Sequence, residues 1–255
     1  MKDIPQLYCG YYATRIYLPF SSLSRRWRRL VRRLRGRRER FLQGTRLPEV
    51  PWTSCTKEHF PRVWESAKAN GNVRISELAI LSAIAAGCED GTDLFEIGTF
   101  DGRTTLNLAF NSPPRCHIRT LDLPAKQDPK FQLAEGERHM VEKPKPGVRY
   151  EKYRLTAPVA VAKIQQLLGD SATFDYSPYE GACSLVFVDG SHAYDYALSD
   201  TRVAMKLVRR GGIVIWHDYG IWEGVTLALE ELDKSEHYGL RSIRGTSLVY
   251  WKGRV

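Results

Sequence analysis

The order of strand-like and helix-like stretches predicts a doubly wound α/β fold on a mostly parallel sheet, preceded by a helical, basic N-terminal extension. Three observations carry this expectation. Residues 93–97 read as a short buried strand, followed at once by Gly98, Gly102 and a helix start at Thr104-Thr105-Leu106. Residues 184–188 form a continuous apolar run, as expected of a strand buried on both faces. Beyond residue 90 strands and helices alternate, the pattern that builds a parallel sheet with helices on its two faces.

Length and charge set the frame. A chain of 255 residues can bury one substantial core and carry a tail. The net charge of +9 belongs to one segment, because residues 25–40 hold ten arginines against one glutamate and the remainder balances. The charge therefore says nothing about the ligand of the main domain. Five scattered cysteines without C-x-x-C spacing argue for reduced thiols in a cytoplasmic setting, against a disulfide framework or a zinc site. The longest apolar run, residues 78–88, is too short to span a bilayer.

Residues 1–24 are rich in tyrosine and show no clear period. Trp27, Leu30, Val31 and Leu34 fall at helical spacing among the arginines, so a helix here shows one narrow apolar stripe. The segment suits an anionic membrane surface or an acidic partner, with nucleic acid less favoured. The alternatives are a solvated arm, one packed on a second subunit of a homo-oligomer, or a targeting peptide. Residues 44–61, with three prolines, read as a linker, which divides the chain into an arm (1–50) and a main domain (51–255).

Residues 63–69 and 75–86 read as helices ahead of the glycine turn, with Ser76-Glu77 as a helix start. After the turn come a helix over 104–110 and a strand over 117–121 that ends at Asp122. Residues 125–153 are polar and carry no readable period. At 158–168 a helix from Pro158 and a strand over 164–168 are both tenable, and the strand is preferred. The run at 184–188 closes with Asp189-Gly190-Ser191-His192. A helix then begins at Tyr194, with Arg209-Arg210 in its last turn and Gly211-Gly212 beyond. Residues 213–216 form a strand ending in His217-Asp218, 225–232 a helix, and 247–251 a last strand.

In such sheets ligands bind beyond the carboxyl ends of the strands. Five predicted tips carry polar or acidic groups: Glu96 with Gly98, Asp122, Asp170-Ser171, Asp189, and His217-Asp218. The G-x-x-x-G spacing departs from the dinucleotide fingerprint G-x-G-x-x-G. Glu96 beside it would repel a pyrophosphate and welcome an amino group, so a zwitterionic ligand is expected. Gly98 and Gly102 are expected to let that ligand approach the main chain. Asp122, 24 positions past Gly98, stands where an acid can accept both hydroxyls of a ribose.

These residues resemble the class I S-adenosylmethionine-dependent methyltransferases, in particular the small-molecule O-methyltransferase branch with macrocin, cephalosporin-hydroxylase-like and catechol-type enzymes. The resemblance covers roughly residues 75–250. Its carriers are residues 95–102 (FEIGTFDG), Asp122, Gly169-Asp170-Ser171, residues 188–192 (VDGSH) and residues 216–219 (WHDY). It implies a seven-stranded, Rossmann-like sheet and S-adenosylmethionine as cofactor. Glu96 and Gly98 would face its methionine end, with Thr99, Asp101 and Gly102 in the same loop and Thr104 capping the first helix near the carboxylate. Asp122 would hold the ribose, Asp170 and Ser171 would flank the adenine, and Asp189 would touch the methionine moiety or a divalent ion. The implied strand order makes the strands ending at Asp189 and Asp218 neighbours, about 4.8 Å apart. Two such carboxylates can share one Mg²⁺, which accepts a substrate hydroxylate. His192 or His217 would take the hydroxyl proton. Where catechol-type enzymes have an amide after the second aspartate this chain has Tyr219, and His217 stands where some relatives have an acid.

The function expected is O-methylation of a small-molecule acceptor, a sugar or natural-product intermediate, by a cytoplasmic enzyme that sits on a membrane periphery if the arm binds one. The alternatives are another enzyme on this scaffold, hydroxylase-like or nicotinamide-dependent, and a non-catalytic binding protein tethered by the arm.

Overall fold

The computed structural model of the chain describes residues 10, 12–20, 23, 27, 31, 46–58, 62–64, 73–125, 127–141 and 145–253. Among the described residues eight strands form one open sheet in the order β1-β7-β8-β6-β5-β2-β3-β4. They are β1 (Glu49–Val50), β2 (Asp93–Ile97), β3 (His117–Asp122), β4 (Ile164–Leu168), β5 (Cys183–Val188), β6 (Val208–Trp216), β7 (Arg241–Ile243) and β8 (Val249–Lys252). Only β8 runs antiparallel to its neighbours. The main helices beyond residue 74 are α1 (Ile75–Ala86), α2 (Arg103–Asn111), α3 (Pro158–Ala162), α4 (Tyr194–Leu207) and α5 (Glu223–Glu236).

Strand periodicity explains the two helix layers. Successive side chains of a strand point to opposite faces. Leu185 and Phe187 of β5 therefore join Leu94, Ile118 and Ile215 against α1 and α2. Val186 and Val188 join Phe95, Ile97, Leu121, Val214 and Trp216 against α4 and α5. All six residues of β5 are buried, so each large apolar side chain there contributes roughly 1.5–3 kcal/mol. Helix α1 is buried from Ser76 through Ala85, which suits its small and apolar composition.

The sheet has eight strands, not seven. The extra one, β1, lies in the stretch read as a linker and pairs with β7, itself unanticipated. Strands of two and three residues are too short to show a period. The boundary placed at residue 50 thus cuts β1 from the sheet it belongs to. Helix α4 stops at Leu207, and Arg209 to Gly212 lie in β6 instead of closing a helix. Val208 is already extended (φ −69°, ψ 132°), which ends the helix before the two arginines. Helix α3 and strand β4 are both present, one after the other. The unreadable stretch holds two single helical turns, Arg138–Val141 and Val148–Glu151. The helix expected over 63–69 lies mostly outside the described residues. Of the arginine-rich segment only Trp27 and Val31 are described, both helical.

The parallel register levels the strand tips. Ile97 is opposite both Leu121 and Val188, and Val188 is opposite Trp216. One further backbone bond pins the residue after each tip: Gly98 N–H to Leu121 O (2.9 Å), Asp189 N–H to Ile97 O (2.9 Å), His217 N–H to Val188 O (3.0 Å) and Gly169 N–H to Asp122 O (3.0 Å).

Gly98 has φ 99°, and a Cβ there would stand 2.0 Å from the Asp189 carbonyl oxygen. At Gly102, with φ 88°, a Cβ would meet the Tyr150 ring at 2.5 Å. Both glycines are thus required by the chain's own packing. Gly98→Ala is expected to cost more than about 2 kcal/mol, through left-handed strain and the clash, and to lower Tm by roughly 5 °C or more. Gly136→Ala, at φ 83° with nothing near its Cβ, carries the backbone strain alone. Thermal melting of the two variants should show the larger loss at Gly98.

Candidate active site

A cavity opens beyond the carboxyl ends of β2, β3, β4 and β5, at the point where strand order reverses between β2 and β5. Gly98, Thr99, Asp101, Thr104, Asp122, Asp170, Ser171, Asp189, His192 and Asp218 line it, which brings together most of the residues expected from sequence. Gly102 and His217 flank it without lining it. Glu96 does not reach it either.

Periodicity explains the exception at Glu96. It alternates with Phe95 and Ile97 and so faces α2, where Thr105 Oγ1 and Thr120 Oγ1 (2.6 Å) donate to its Oε2. Burial dominates its chemistry and pushes its carboxyl up to about 8. At neutral pH Glu96 is a neutral acid inside the fold, not a charged partner of a ligand.

Several lining groups are already committed to the protein. Asp170 accepts from Tyr196 OH (2.8 Å), Lys130 N–H (2.6 Å) and Ala172 N–H (2.8 Å), so it fixes the loop after β4. Asp101 accepts from Arg149 Nε (2.8 Å) and Arg103 N–H (3.0 Å). Thr99 shares its hydroxyl with Thr120 (2.7 Å) and Gln166 (2.9 Å). Thr104 does not cap α2, because the N-cap position is Gly102 and has no side chain to offer.

Asp122 is held as well, since Phe100 N–H donates to its Oδ2 (2.6 Å), and it lines the cavity together with Leu121, Leu123, Leu133, Met140 and Val141. An acid set between apolar walls fits a nucleoside, which offers a flat apolar base beside two hydroxyl donors.

The second half of the site is a buried carboxylate–imidazole cluster. His192 Nε2 lies 2.8 Å from Asp218 Oδ2, and its Nδ1 lies 2.8 Å from Glu137 Oε1. Its ring stacks on Trp222 at 4.3 Å. His217 Nδ1 lies 3.1 Å from both Asp189 Oδ1 and Asp218 Oδ2. Burial alone would lower both imidazoles, but the adjoining carboxylates outweigh it. His192 is lifted to about 9 and His217 well above the usual imidazole value. Burial alone would raise Asp218, and the two imidazoles instead hold it well below the carboxylate range. Asp218 also adopts φ 66°, a left-handed conformation that aspartate tolerates better than most residues.

Sequence reasoning missed two acids here. Glu137 comes from the unreadable polar stretch, where nothing set it apart. It lines the cavity and also accepts from Ser191 Oγ (2.9 Å) and His192 N–H (2.8 Å). Glu77, a helix start by its sequence position, is fully buried in the structure.

The donors present fit a divalent cation. Carboxylate oxygens of Asp189 and Asp218 and a nitrogen of His217 lie within 4.8 Å of one another. The buried Nδ1 of His217 makes no well-directed hydrogen bond despite its two close oxygens.

Fold and site together define a class I, Rossmann-like methyltransferase architecture. Residues 95–219 match the family model described as a methyltransferase domain, and the chain is an S-adenosylmethionine-dependent methyltransferase. Among solved structures it resembles the O-methyltransferase NovP (16% identity, TM-score 0.56, covering 72% of this chain and 84% of that one). It also resembles the calicheamicin methyltransferase CalS11 (16%, 0.53, 71% and 80%) and a protein from Corynebacterium glutamicum (14%, 0.53, 72% and 83%). At these identities the likeness establishes the fold. No curated protein matches the chain. Among the described residues no helix is long and apolar enough to cross a membrane.

The Glu96 environment gives a testable pH dependence. Its carboxyl is raised on folding, so the native state holds a proton that the unfolded chain releases above the ordinary carboxyl value. That contribution to stability is complete below about 4.5 and is lost as pH rises through about 8. Glu96→Gln should therefore match the wild type in thermal melts at pH 4 and melt higher than it at pH 9.

Proposed function

We propose that the protein methylates a hydroxyl of a small molecule, with a divalent cation at Asp189, His217 and Asp218 assisting. The observation that carries this reading is the junction, in one cavity, of the Asp122 nucleoside end with the carboxylate–imidazole cluster. When bound, S-adenosylmethionine supplies an electrophilic methyl group, and a dication lowers the pKa of a hydroxyl beside it. Neighbours named as an O-methyltransferase and a calicheamicin methyltransferase support the choice of a small-molecule acceptor.

The chain's own residues have distinct tasks. Asp122 accepts the ribose hydroxyls, and the surrounding leucines with Met140 and Val141 exclude water from the base. Thr99 and Asp101, tied back by Gln166 and Arg149, keep the glycine turn rigid. Asp170 and Ser171 close the adenine end. Asp189 and Asp218, with His217, form the ligand set for the cation at the other end. Orienting the acceptor oxygen in line with the methyl carbon supplies much of the acceleration. His192 is placed to take the acceptor's proton, because Asp218 and Glu137 stabilise its protonated form from both sides.

The arginine-rich segment can serve a separate role in this reading, holding the domain against an anionic surface or an acidic partner. Its surplus of arginine over a narrow apolar stripe supports that assignment.

Calorimetry should show S-adenosylhomocysteine binding and no binding of NAD; the reverse result overturns the cofactor assignment. Asp122→Ala should weaken that binding roughly ten- to hundredfold, the worth of hydrogen bonds to a charged group. The His192 environment sets the pH profile. A base must start without its proton, so kcat/KM should rise with pH toward about 9. Glu137→Gln removes one stabilising carboxylate, lowers the imidazole pKa and should move that rising limb to lower pH.

A further inference from the structure

His217 is held from behind as carefully as it is aimed. Its Nε2 lies 3.4 Å from Glu77 Oε2. Glu77 is fully buried, and its Oε1 accepts from Ser247 N–H (2.7 Å) and Ser247 Oγ (2.9 Å). Its Oε2 also accepts from Arg74 N–H (2.9 Å). An acid pinned by the head of α1 and the β7–β8 turn is a fixed acceptor, and it assigns the Nε2 edge of the ring to Glu77.

The Nδ1 edge therefore faces the strand tips. There it meets Asp189 Oδ1 and Asp218 Oδ2 at equal distances without a well-directed hydrogen bond to either. One of those carboxylates is further steadied by His192, 2.8 Å from Asp218 Oδ2. A histidine that turns one ring nitrogen to a buried carboxylate and the other toward two more is oriented to ligate a metal held between those two, and the first carboxylate raises its basicity. The resulting donor set is one imidazole nitrogen and two carboxylate oxygens. Mg²⁺ prefers oxygen alone, whereas imidazole suits borderline first-row ions.

We propose that this site selects a borderline first-row dication, such as Mn²⁺, Fe²⁺, Co²⁺ or Zn²⁺, over Mg²⁺ through His217, and that Glu77 is the positioning residue that keeps His217 in its ligating tautomer. This rests on the cation-assisted reading given above and names the ion class that reading leaves open. Asp189 and Asp218 supply affinity for any dication, and the His217–Glu77 pair supplies the preference among them.

The test measures metal uptake without turnover. Full-length protein is stripped with a chelator, dialysed and titrated with Co²⁺, whose visible absorption reports its ligands. Mg²⁺ and Mn²⁺ then compete, and S-adenosylhomocysteine binding is measured in parallel by calorimetry. The wild type should release Co²⁺ to Mn²⁺ readily and to Mg²⁺ only at a concentration higher by about a hundredfold or more. His217→Asp converts the set to oxygen alone and should narrow that gap at least about tenfold. Glu77→Gln, with its fold checked by melting, should weaken Co²⁺ binding about 10- to 100-fold while changing Mg²⁺ binding less. The proposal is overturned if His217→Asp leaves the gap unchanged, or if the wild type takes up no dication while still binding S-adenosylhomocysteine. Absence of S-adenosylhomocysteine binding, with the metal preference intact, would count against the cofactor assignment alone.

Discussion

Parallel pairing in register is the constraint on which the rest depends. Because Ile97, Leu121, Val188 and Trp216 stand level, the residues that follow them emerge side by side. Period-two alternation then decides their direction. Asp122, Asp189 and His217 each follow a residue that packs against α4 and α5, so all three turn toward the α1–α2 side. A slip of one residue in any of these strands would send its acid to the wrong layer. Gly98 completes the arrangement by letting two strand ends approach within the space of a missing methyl group.

Charge is concentrated where the chain can hold it. Four acids and two imidazoles meet at the tips of β5 and β6, largely out of water. Such a cluster is stable only when its charges alternate, and here each imidazole lies between carboxylates. The left-handed backbone at Asp218 is part of that cost, and strain of this kind concentrates at functional sites. Glu96 illustrates the other solution: given hydroxyl donors and no cation, the acid keeps its proton.

Much of this was legible in the chain before folding. Residues 93–97 were readable to the residue, and 184–188 nearly so, because central parallel strands are apolar throughout. Their polar tips followed directly. Strands β1 and β7 were hidden by length, since their pairing is chosen by the edge they complete. Glu137 was hidden for another reason. Its segment is ordered by contacts with distant elements, such as Arg149 with Asp101 and Tyr150 against Gly102, and leaves no local period. Glu77 carried a signal that helix-capping chemistry explained too readily, since it does accept the Arg74 N–H at the start of α1 as well as facing His217.

Tyr219 ties the beginning of the described domain to its chemistry. Its hydroxyl donates to Glu230 Oε1 (2.8 Å) and accepts from Leu47 N–H (3.0 Å), while Arg46 N–H also reaches Glu230 (2.9 Å). The peptide entering the edge strand is thus moored one residue away from Asp218. Shortening the chain therefore touches the domain itself: a protein begun after Leu47 loses the bond to Tyr219, and one begun at residue 46 has already lost Ala13 and Leu18, both buried in the core beside α1.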